Sequence, residues 1–386
     1  MTYPTPRRRV VLLGATGSIG RQACDVIARF PDRFELVGAV AGGDAAALEA
    51  IVRRFGVTRT ALVHPDPSAV LPEGCATGMD AACEIAAMDA DVVCVAITGA
   101  AAIRPTLAAI DAGATVASAT KEVLVMAGDL VKARAAASGA RIITIDSEHS
   151  ALWQCLRGED PASVSRLVLT ASGGPFLWRP LDTFASITPA EAMAHPTWNM
   201  GPKITIDSAT MMNKGLEIIE AHFLFDVPYA SIDVAIQPTS IIHSWVEFRD
   251  GAVIAQLGVP DMRVPIALAL ADGERLPGVG PRLDLRDASP LEVLALDGNR
   301  FPAIGLARAA GERGGLAPCV FNAANEEAVT AFTSGQCRFD EIVSLVGAAL
   351  AAFDGGDAST LEGVLDADAW ARGFVRVNTT GAVPAR

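Results

Sequence analysis

The feature that most constrains the fold is a short apolar run followed at once by three glycines. Residues 10–13 predict a buried strand, and Gly14, Gly17 and Gly20 follow before a helical pattern that extends to residue 28. A strand, a glycine turn and a helix in that order open a dinucleotide-binding unit, because the glycines let a pyrophosphate approach the helix N-terminus. The sequence therefore predicts that this turn binds a nucleotide cofactor.

Alternating strand and helix patterns continue from this turn to residue 145. Apolar runs predict strands at residues 34–41, 60–63, 91–96, 115–117 and 141–145. Helical patterns between them start at Asp44 and cover residues 101–112 and 123–137. This alternation predicts a Rossmann-like, doubly wound parallel sheet, and a domain of this fold that binds no nucleotide is the alternative.

The chain after the second strand bears on the choice of cofactor. In dinucleotide-binding domains an acid at this place suits the 2′-hydroxyl of NAD, whereas a basic residue suits the 2′-phosphate of NADP. The segment Gly42-Gly43-Asp44 offers an acid, which favours NAD. Arg53 and Arg54 are the basic alternatives.

Composition argues against several classes of partner. Lys and Arg number 31 and Asp and Glu 44, so the formal net charge is −13. Because no basic stripe appears, we expect no nucleic acid and no anionic membrane as partner. No apolar run approaches the roughly 20 residues that cross a bilayer. The seven cysteines form no CxxC pair, which is typical of buried thiols in a reducing compartment, and we expect a cytoplasmic protein.

Acidic residues follow the last predicted strand of the sheet, at the carboxyl edge where α/β proteins bind ligands. Asp146 and Glu148 are two apart, so an extended backbone would place both side chains on one face. Paired carboxylates suit a hard divalent cation such as Mg²⁺ or Mn²⁺. The alternative is that Asp146, Ser147 and Glu148 only cap the next helix. Lys121 follows a neighbouring strand and is a candidate for orienting a substrate oxygen or the nicotinamide, or else an exposed lysine.

A long irregular segment precedes a second group of candidate residues. It contains His195 and Trp198, and its bulky side chains predict a lid that excludes water. Residues 203–206 predict a short strand after it. A helix is then expected to begin with Asp207 or Ser208 as its N-cap.

That helix combines a predicted phosphate site with a predicted metal ligand. Asn213, Lys214 and Glu217 are three and four apart, so they share one side of the helix. The helix start, with Ser208 nearby, suits a phosphate, and Glu217 suits a metal. The turn that begins at Ser172 is a further anion-binding candidate. The alternatives are an ordinary turn, and a buried helix in which Lys214 and Glu217 only pair with each other.

The rest of the chain predicts a hairpin, a linker and a helical bundle. Residues 232–248 and 252–257 predict the hairpin, with its turn at Asp250-Gly251. Four C-terminal helices are predicted at residues 303–313, 318–333, 339–352 and 359–371. The polar residues of the second one are interpreted as solvated faces without chemistry: Asn322, Asn325, Glu326 and Glu327.

These patterns predict three domains. They are a Rossmann-like domain at residues 1–146, an α+β catalytic domain at 147–271 with a mobile loop at about 172–202, and a helical domain at 298–386, after a linker at 272–297. The fold class is therefore α/β, with an α+β middle domain and a C-terminal helical bundle.

With its motifs in place, the chain resembles the 1-deoxy-D-xylulose 5-phosphate reductoisomerase family from end to end. The motifs that carry the resemblance are Gly14-Ala-Thr-Gly-Ser-Ile-Gly20, Lys121-Glu122, Asp146-Ser-Glu-His149, Ala171-Ser-Gly-Gly-Pro-Phe176, His195-Pro-Thr-Trp-Asn-Met-Gly201, Asp207-Ser-Ala-Thr-Met-Met-Asn-Lys-Gly-Leu-Glu217 and Gly258-Val-Pro-Asp-Met-Arg263. The resemblance implies an enzyme of the methylerythritol phosphate route to isoprenoids. Such an enzyme uses NADPH and a divalent metal to rearrange 1-deoxy-D-xylulose 5-phosphate, by a retro-aldol/aldol or an α-ketol route, and to reduce the aldehyde to 2-C-methyl-D-erythritol 4-phosphate.

The resemblance also implies roles for individual residues. The implied ligands of Mg²⁺ or Mn²⁺, with Co²⁺ as a third candidate, are Asp146, Glu148 and Glu217. The implied phosphate ligands are Ser172, Ser208, Asn213 and Lys214. The implied catalytic residues are Lys121, Glu148, His195 and Trp198, and the substrate site takes in Lys121, Ser147, Glu148, His195 and Glu217 besides the phosphate ligands. The predicted cofactor contacts are Thr16, Gly17, Ser18, Ile19, Gly42, Gly43, Asp44, Thr120, Glu122 and Gly201.

Two departures from the family pattern bear on the cofactor. Thr120 stands where the family commonly has Asn, and Gly43 and Asp44 stand where it commonly has a basic residue and Asn. They leave the choice between NADPH and NADH open. We expect a homodimer that acts on a small phosphorylated sugar. The rivals are another two-domain NAD(P)-dependent dehydrogenase and a nucleotide-binding protein without catalysis.

Overall fold

The architecture is that of a computed structural model, which describes residues 6–194, 197–198, 201–286 and 290–379. Contacts between residues divide the chain into two compact units. The first unit contains residues 1–123, 131–150 and 261–281, and the second contains residues 124–130, 151–260 and 282–386.

A seven-stranded parallel sheet forms the first unit, with strand order β4-β3-β2-β1-β5-β6-β7. Its strands are β1 Arg8–Leu13, β2 Phe34–Ala41, β3 Arg59–Leu62, β4 Ala76–Thr77, β5 Val92–Val95, β6 Thr115–Ser118 and β7 Arg141–Thr144. Its helices are α1 Ser18–Arg29, α2 Ala45–Phe55, α3 Met79–Ala86 and α4 Ile103–Asp111. Two more helices, α5 Glu122–Ser138 and α6 Ser147–Cys155, have residues in both units. The strand order reverses between β1 and β5, so the predicted doubly wound sheet is confirmed.

A later part of the chain returns to the first unit. The helix Arg263–Leu270, α10 in chain order, packs against α1, and its apolar side chains join the same buried core. Arg29 fixes the segment after it by donating hydrogen bonds to the carbonyl oxygens of Gly278 and Val279, at 2.9 and 2.8 Å. The sequence prediction assigned residues 261–271 to the catalytic domain and residues 272–281 to the linker. It did not foresee that this segment packs on α1.

The second unit contains a five-stranded sheet of order β11-β10-β8-β9-β12. Its strands are β8 Val164–Ala171, β9 Ile232–Ile236, β10 Ile242–Phe248, β11 Val253–Leu257 and β12 Leu294–Ala295. The antiparallel pair β10–β11 confirms the predicted hairpin, and Gly251 in its turn has a left-handed φ of 89°. The single run predicted at 232–248 is wrong, because Gln237 ends β9 by accepting hydrogen bonds from the backbone N–H groups of Ile241 and Ile242, at 2.8 and 3.3 Å.

Helices complete the second unit. They are α7 Pro189–Ala192, α8 Pro202–Thr210, α9 Met212–Phe225, α11 Ala303–Arg313, α12 Ala317–Thr333, α13 Glu341–Ala352 and α14 Leu361–Thr379. The four predicted C-terminal helices are therefore present. Among the described residues, no helix is long and apolar enough to cross a membrane. All seven cysteines are free, and burial raises the pKa of the Cys94 thiol to about 12.

The predicted start of the central helix is wrong. Residues 203–206 lie in α8 and form no strand, with Gly201 as N-cap and Pro202 in the first turn. Asp207 and Ser208 consequently lie near the end of α8 and do not cap it. The β-branched residues at 204–206 favour a strand locally, but a proline at the first helical position and the burial of Ile206 favour the helix.

Candidate active site

The glycine turn of the first unit has the geometry that a dinucleotide site needs. Gly14 has φ 86°, and a Cβ there would lie 2.3 Å from the carbonyl oxygen of Ala96. A Cβ on Gly20 would lie 2.2 Å from the carbonyl oxygen of Gly14. The predicted contacts Thr16, Gly17, Ser18 and Ile19 make up the turn and the first residues of α1. Backbone N–H groups at this helix start are suited to a pyrophosphate.

Asp44 has a structural role at the predicted ribose end of the cofactor. Its carboxylate accepts a hydrogen bond of 2.9 Å from the backbone N–H of Ala47 and so caps α2. Gly43 packs tightly, since a Cβ there would lie 2.6 Å from the carbonyl oxygen of His64. Helix capping alone explains why an acidic residue stands at this position. Asp44 therefore does not favour NAD over NADP.

The buried Lys121 and the half-buried Asp146 form an ion pair at the carboxyl edge of the first sheet, just after β6 and β7. Lys121 is therefore not the exposed lysine of the alternative. Thr120 is buried as well, and its hydroxyl donates a 2.6 Å hydrogen bond to the carbonyl oxygen of Ile97. The Thr120 hydroxyl, which stands where the family commonly has the amide of Asn, is therefore hydrogen-bonded within the first unit. Glu122, the first residue of α5, is also buried.

Ser147 and Glu148 lie in the first turn of α6. The hydroxyl of Ser147 donates to a carboxylate oxygen of Glu148 at 2.5 Å. The extended backbone expected from Asp146 to Glu148 is wrong, because the helix starts at Ser147 and the N–H of Ser150 bonds to the carbonyl oxygen of Asp146 at 2.8 Å. Asp146 and Glu148 thus lie at the start of a helix, as the alternative of a capping sequence predicted. Asp146 also pairs with Lys121.

The glycine turn after β8 packs directly on α8 in the second unit. Ser172 accepts a 3.2 Å hydrogen bond from the N–H of Gly174. Gly174 has φ 65°, and a Cβ on it would lie 2.9 Å from both the carbonyl oxygen of Ser208 and Cα of Ala209. The turn and Ser208, two predicted parts of a phosphate site, are therefore neighbours.

Substituting Gly174 with Ala should disrupt this contact. The new methyl would require both a left-handed backbone and a shift of α8, so we expect a rise in KM for the phosphorylated substrate of about tenfold. Steady-state kinetics measure the effect. The control is Gly158→Ala, since Gly158 also has a left-handed φ but no atom within 4 Å of the Cβ position. Equal KM values in the two variants would contradict the packing argument.

Asn213, Lys214 and Glu217 meet at the start of α9. Met211, with φ 63°, separates α8 from α9 and lets the chain change direction. Both the Asn213 amide and the Lys214 ammonium donate to the Glu217 carboxylate, whose exposure is 0%. The pairing of Lys214 with Glu217 is thus real. It does not exclude the phosphate role, because an ammonium has three N–H donors.

Residues 176–179, which follow the Ser172 turn, are anchored by residues in the turns that precede α11 and α13. The Arg300 guanidinium donates to the carbonyl oxygens of Phe176 and Arg179, at 3.0 and 2.7 Å. The Phe176 ring packs edge-on against Phe339, with ring centroids 5.2 Å apart. Hydrogen bonds from Thr188 and Arg179 lower the pKa of Glu191 to about 2.

Of the two catalytic residues predicted in the mobile loop, only Trp198 belongs to the residues that the structure describes. His195 lies outside the residues that the structure describes. Trp198 is described, and its ring lies edge-on to His243 with centroids 6.4 Å apart. Gly201 caps α8. The catalytic roles of His195 and Trp198 stay predictions.

The solvated interpretation of Asn322 and Asn325 is wrong. Both are buried, at 0% exposure, and the Asn325 amide donates a 2.8 Å hydrogen bond to the Asp207 carboxylate. Glu326 and Glu327 are half-buried and pair with Arg372 and Arg376. The available signal was that apolar residues surround the two amides on all sides of α12, which is typical of a buried helix.

Comparison with known proteins places the chain in a family. A model of 1-deoxy-D-xylulose 5-phosphate reductoisomerase matches residues 10–128, and two models of its C-terminal domains match residues 142–225 and 257–374. The reductoisomerase of Leifsonia xyli subsp. xyli is 49% identical over 365 residues, which are 95% of this chain and 97% of that protein. The chain belongs to the 1-deoxy-D-xylulose 5-phosphate reductoisomerase family. The family member from Pseudarthrobacter chlorophenolicus is 48% identical over 95% of this chain and 96% of its own.

Solved structures of the reductoisomerase family agree with this fold. The enzyme from Zymomonas mobilis in complex with NADPH has a TM-score of 0.91 and 39% identity, over 98% of this chain and 100% of that one. A reductoisomerase in complex with NADPH, fosmidomycin and magnesium has a TM-score of 0.90 and 38% identity, over 96% and 98%. The resemblance predicted from the sequence motifs is confirmed.

Proposed function

We propose that this reductoisomerase uses NADPH and a divalent metal to convert 1-deoxy-D-xylulose 5-phosphate into 2-C-methyl-D-erythritol 4-phosphate. The observation that carries the proposal is its match to reductoisomerases over nearly the whole chain. A dehydrogenase without rearrangement is disfavoured by the same match, and so is a nucleotide-binding protein without catalysis.

The metal-binding role is assigned to Asp146 and Glu148 in the first unit and to Glu217 in the second. Carboxylate oxygens are the donors that Mg²⁺ and Mn²⁺ prefer, so the donor set fits such an ion. Asp146 and Glu217 are also held in place by the ammonium groups of Lys121 and Lys214. A bound divalent cation supplies Lewis-acid polarisation of substrate oxygens.

The phosphate-binding role is assigned to residues of the second unit: Ser172, Ser208, Asn213 and Lys214. Hydroxyl, amide and ammonium donors together match the acceptor oxygens of a phosphate. Because the phosphate does not react, its binding energy is available to orient the reacting carbons.

The remaining substrate contacts are assigned to Lys121 and Ser147, which donate to substrate oxygens. Bound NADPH supplies the hydride. We assign its binding to the glycine turn and to Gly42, Gly43, Asp44, Thr120, Glu122 and Gly201. His195 and Trp198 close over the substrate and exclude water, which protects an aldehyde from side reactions.

The first test uses 1-deoxy-D-xylulose 5-phosphate as substrate. Oxidation of the reduced nicotinamide is measured by the fall in its absorbance. NADPH and NADH are compared, with Mg²⁺ or Mn²⁺ and then with excess EDTA. We expect metal-dependent oxidation with NADPH preferred, since Asp44 is occupied as a helix cap. A preference for NADH would contradict the cofactor assignment alone, and no oxidation with either would contradict the function.

Two further assignments follow, the first from the family resemblance and the second from the free cysteines. We propose a homodimer in the cytoplasm as the working form. Sedimentation of the purified protein tests the first assignment, and fractionation of cells tests the second. A monomer at working concentration would contradict the dimer.

A further inference from the structure

We propose that Asn325 and Lys203 are positioning residues of the phosphate site and act through the buried carboxylate of Asp207. The proposal deepens the proposed function and rests on it for the identity of the phosphate ligands. None of these three residues is among the side chains assigned to substrate, cofactor or metal.

The carboxylate of Asp207 is compensated on both oxygens. One oxygen accepts the 2.8 Å hydrogen bond from the Asn325 amide, and the other lies 2.7 Å from the Lys203 ammonium. Asp207 is 1% exposed. Burying a carboxylate is costly unless partners compensate its charge, so removing either partner should disturb Asp207. Lys203 comes from the same helix, whereas Asn325 comes from α12, 118 residues away.

The Asp207–Asn325 hydrogen bond therefore fixes α8 against α12. The four proposed phosphate ligands depend on the position of α8 in three ways. Ser208 is the next residue of the helix. Ser172 begins the turn whose Gly174 packs on Ser208 and Ala209. Asn213 and Lys214 follow the left-handed residue Met211, which ends α8. A shift of α8 would therefore displace all four together.

Lys203 has an electrostatic role in this arrangement. Asp207 stands one residue before Ser208, so its negative charge would oppose a phosphate dianion bound nearby. The Lys203 ammonium balances that charge at 2.7 Å. We therefore expect Lys203→Gln to weaken phosphate binding although Lys203 itself is assigned no phosphate contact.

The test compares Asn325→Asp with the double variant Asp207→Asn/Asn325→Asp. The single variant sets two carboxylates against each other, so we expect KM to rise about tenfold or more while kcat changes less. The double variant restores the hydrogen bond with donor and acceptor exchanged, so KM should return to within about threefold of the unaltered enzyme. A role limited to stability predicts lower melting temperatures with an unchanged KM.

The matched control is Asn322→Asp. Asn322 is equally buried on α12, but its amide donates to Glu326 of the same helix, at 3.1 Å, and not to α8. We expect this variant to lose stability and to keep its KM. A rise in KM equal to that of Asn325→Asp, or no recovery in the double variant, would overturn the positioning role.

Calorimetric titration with inorganic phosphate separates this proposal from the proposed function, because it needs no turnover. We expect Asn325→Asp to weaken phosphate binding about tenfold. An unaltered protein that binds phosphate without turning over substrate would contradict the function alone. Unchanged phosphate affinity in Asn325→Asp, or an unaltered protein that turns over substrate but binds no inorganic phosphate, would overturn the positioning role alone.

Discussion

Glu217→Gln should reduce kcat by roughly a thousandfold or more, which is the scale of a lost Lewis-acid contribution. Gln keeps the size of the side chain but not the negative charge that a divalent cation needs. Asn213 and Lys214 donate to different oxygens of Glu217, so the single amide oxygen of Gln can keep only one of these two hydrogen bonds, and we expect a lower melting temperature as well. Steady-state turnover at saturating Mg²⁺ or Mn²⁺ measures the loss. Near-normal turnover would remove Glu217 from the metal site.

Cofactor affinity separates the loss of a metal ligand from the loss of cofactor binding. The glycine turn that is proposed to bind NADPH lies in the first unit, and Glu217 lies in the second. We therefore expect fluorescence titration to give the same dissociation constant for NADPH in the Gln variant. The matched control is Glu327→Gln, which removes a carboxylate that pairs with Arg376 at 2.8 Å and has no proposed metal role. It should retain full turnover.

The first sheet was predictable because local sterics dictate it. Gly14 and Gly20 have backbone atoms within 2.3 Å of their Cβ positions, so any other residue would break the turn. Strands flanked by such a turn and by helices leave few alternatives. The position of Lys121 and Asp146 follows from the same sheet, since the carboxyl ends of neighbouring parallel strands lie at one edge.

The features that escaped prediction depend on contacts between distant parts of the chain. Residues 203–206 favour a strand by propensity, and burial against other helices overrides that preference. The burial of Asn325 could be predicted from the apolar residues around it on α12, but its pairing with Asp207, 118 residues away, could not. The return of residues 261–281 to the first unit depends likewise on apolar packing against α1. Local patterns contain no direct signal for such pairings.

Lys214→Ala should raise KM for 1-deoxy-D-xylulose 5-phosphate about 10–100-fold, the value of one or two charge-assisted hydrogen bonds. The ammonium has two roles in the proposed site, since it contacts Glu217 and binds the phosphate. Removing it also leaves the fully buried Glu217 carboxylate without its cation. Because an uncompensated buried charge is strongly destabilising, we expect a lower melting temperature as well.

Comparison with the substrate that lacks phosphate separates these two effects. If Lys214 binds the phosphate, Lys214→Ala should lose more activity on the phosphorylated substrate than on 1-deoxy-D-xylulose, on which only the effect through Glu217 remains. Lys132→Ala, at a half-buried lysine of α5 without a proposed phosphate role, is the control and should change neither KM. Equal losses of Lys214→Ala on both substrates would mean that the ammonium serves only to hold Glu217, and the phosphate would then have to bind without it.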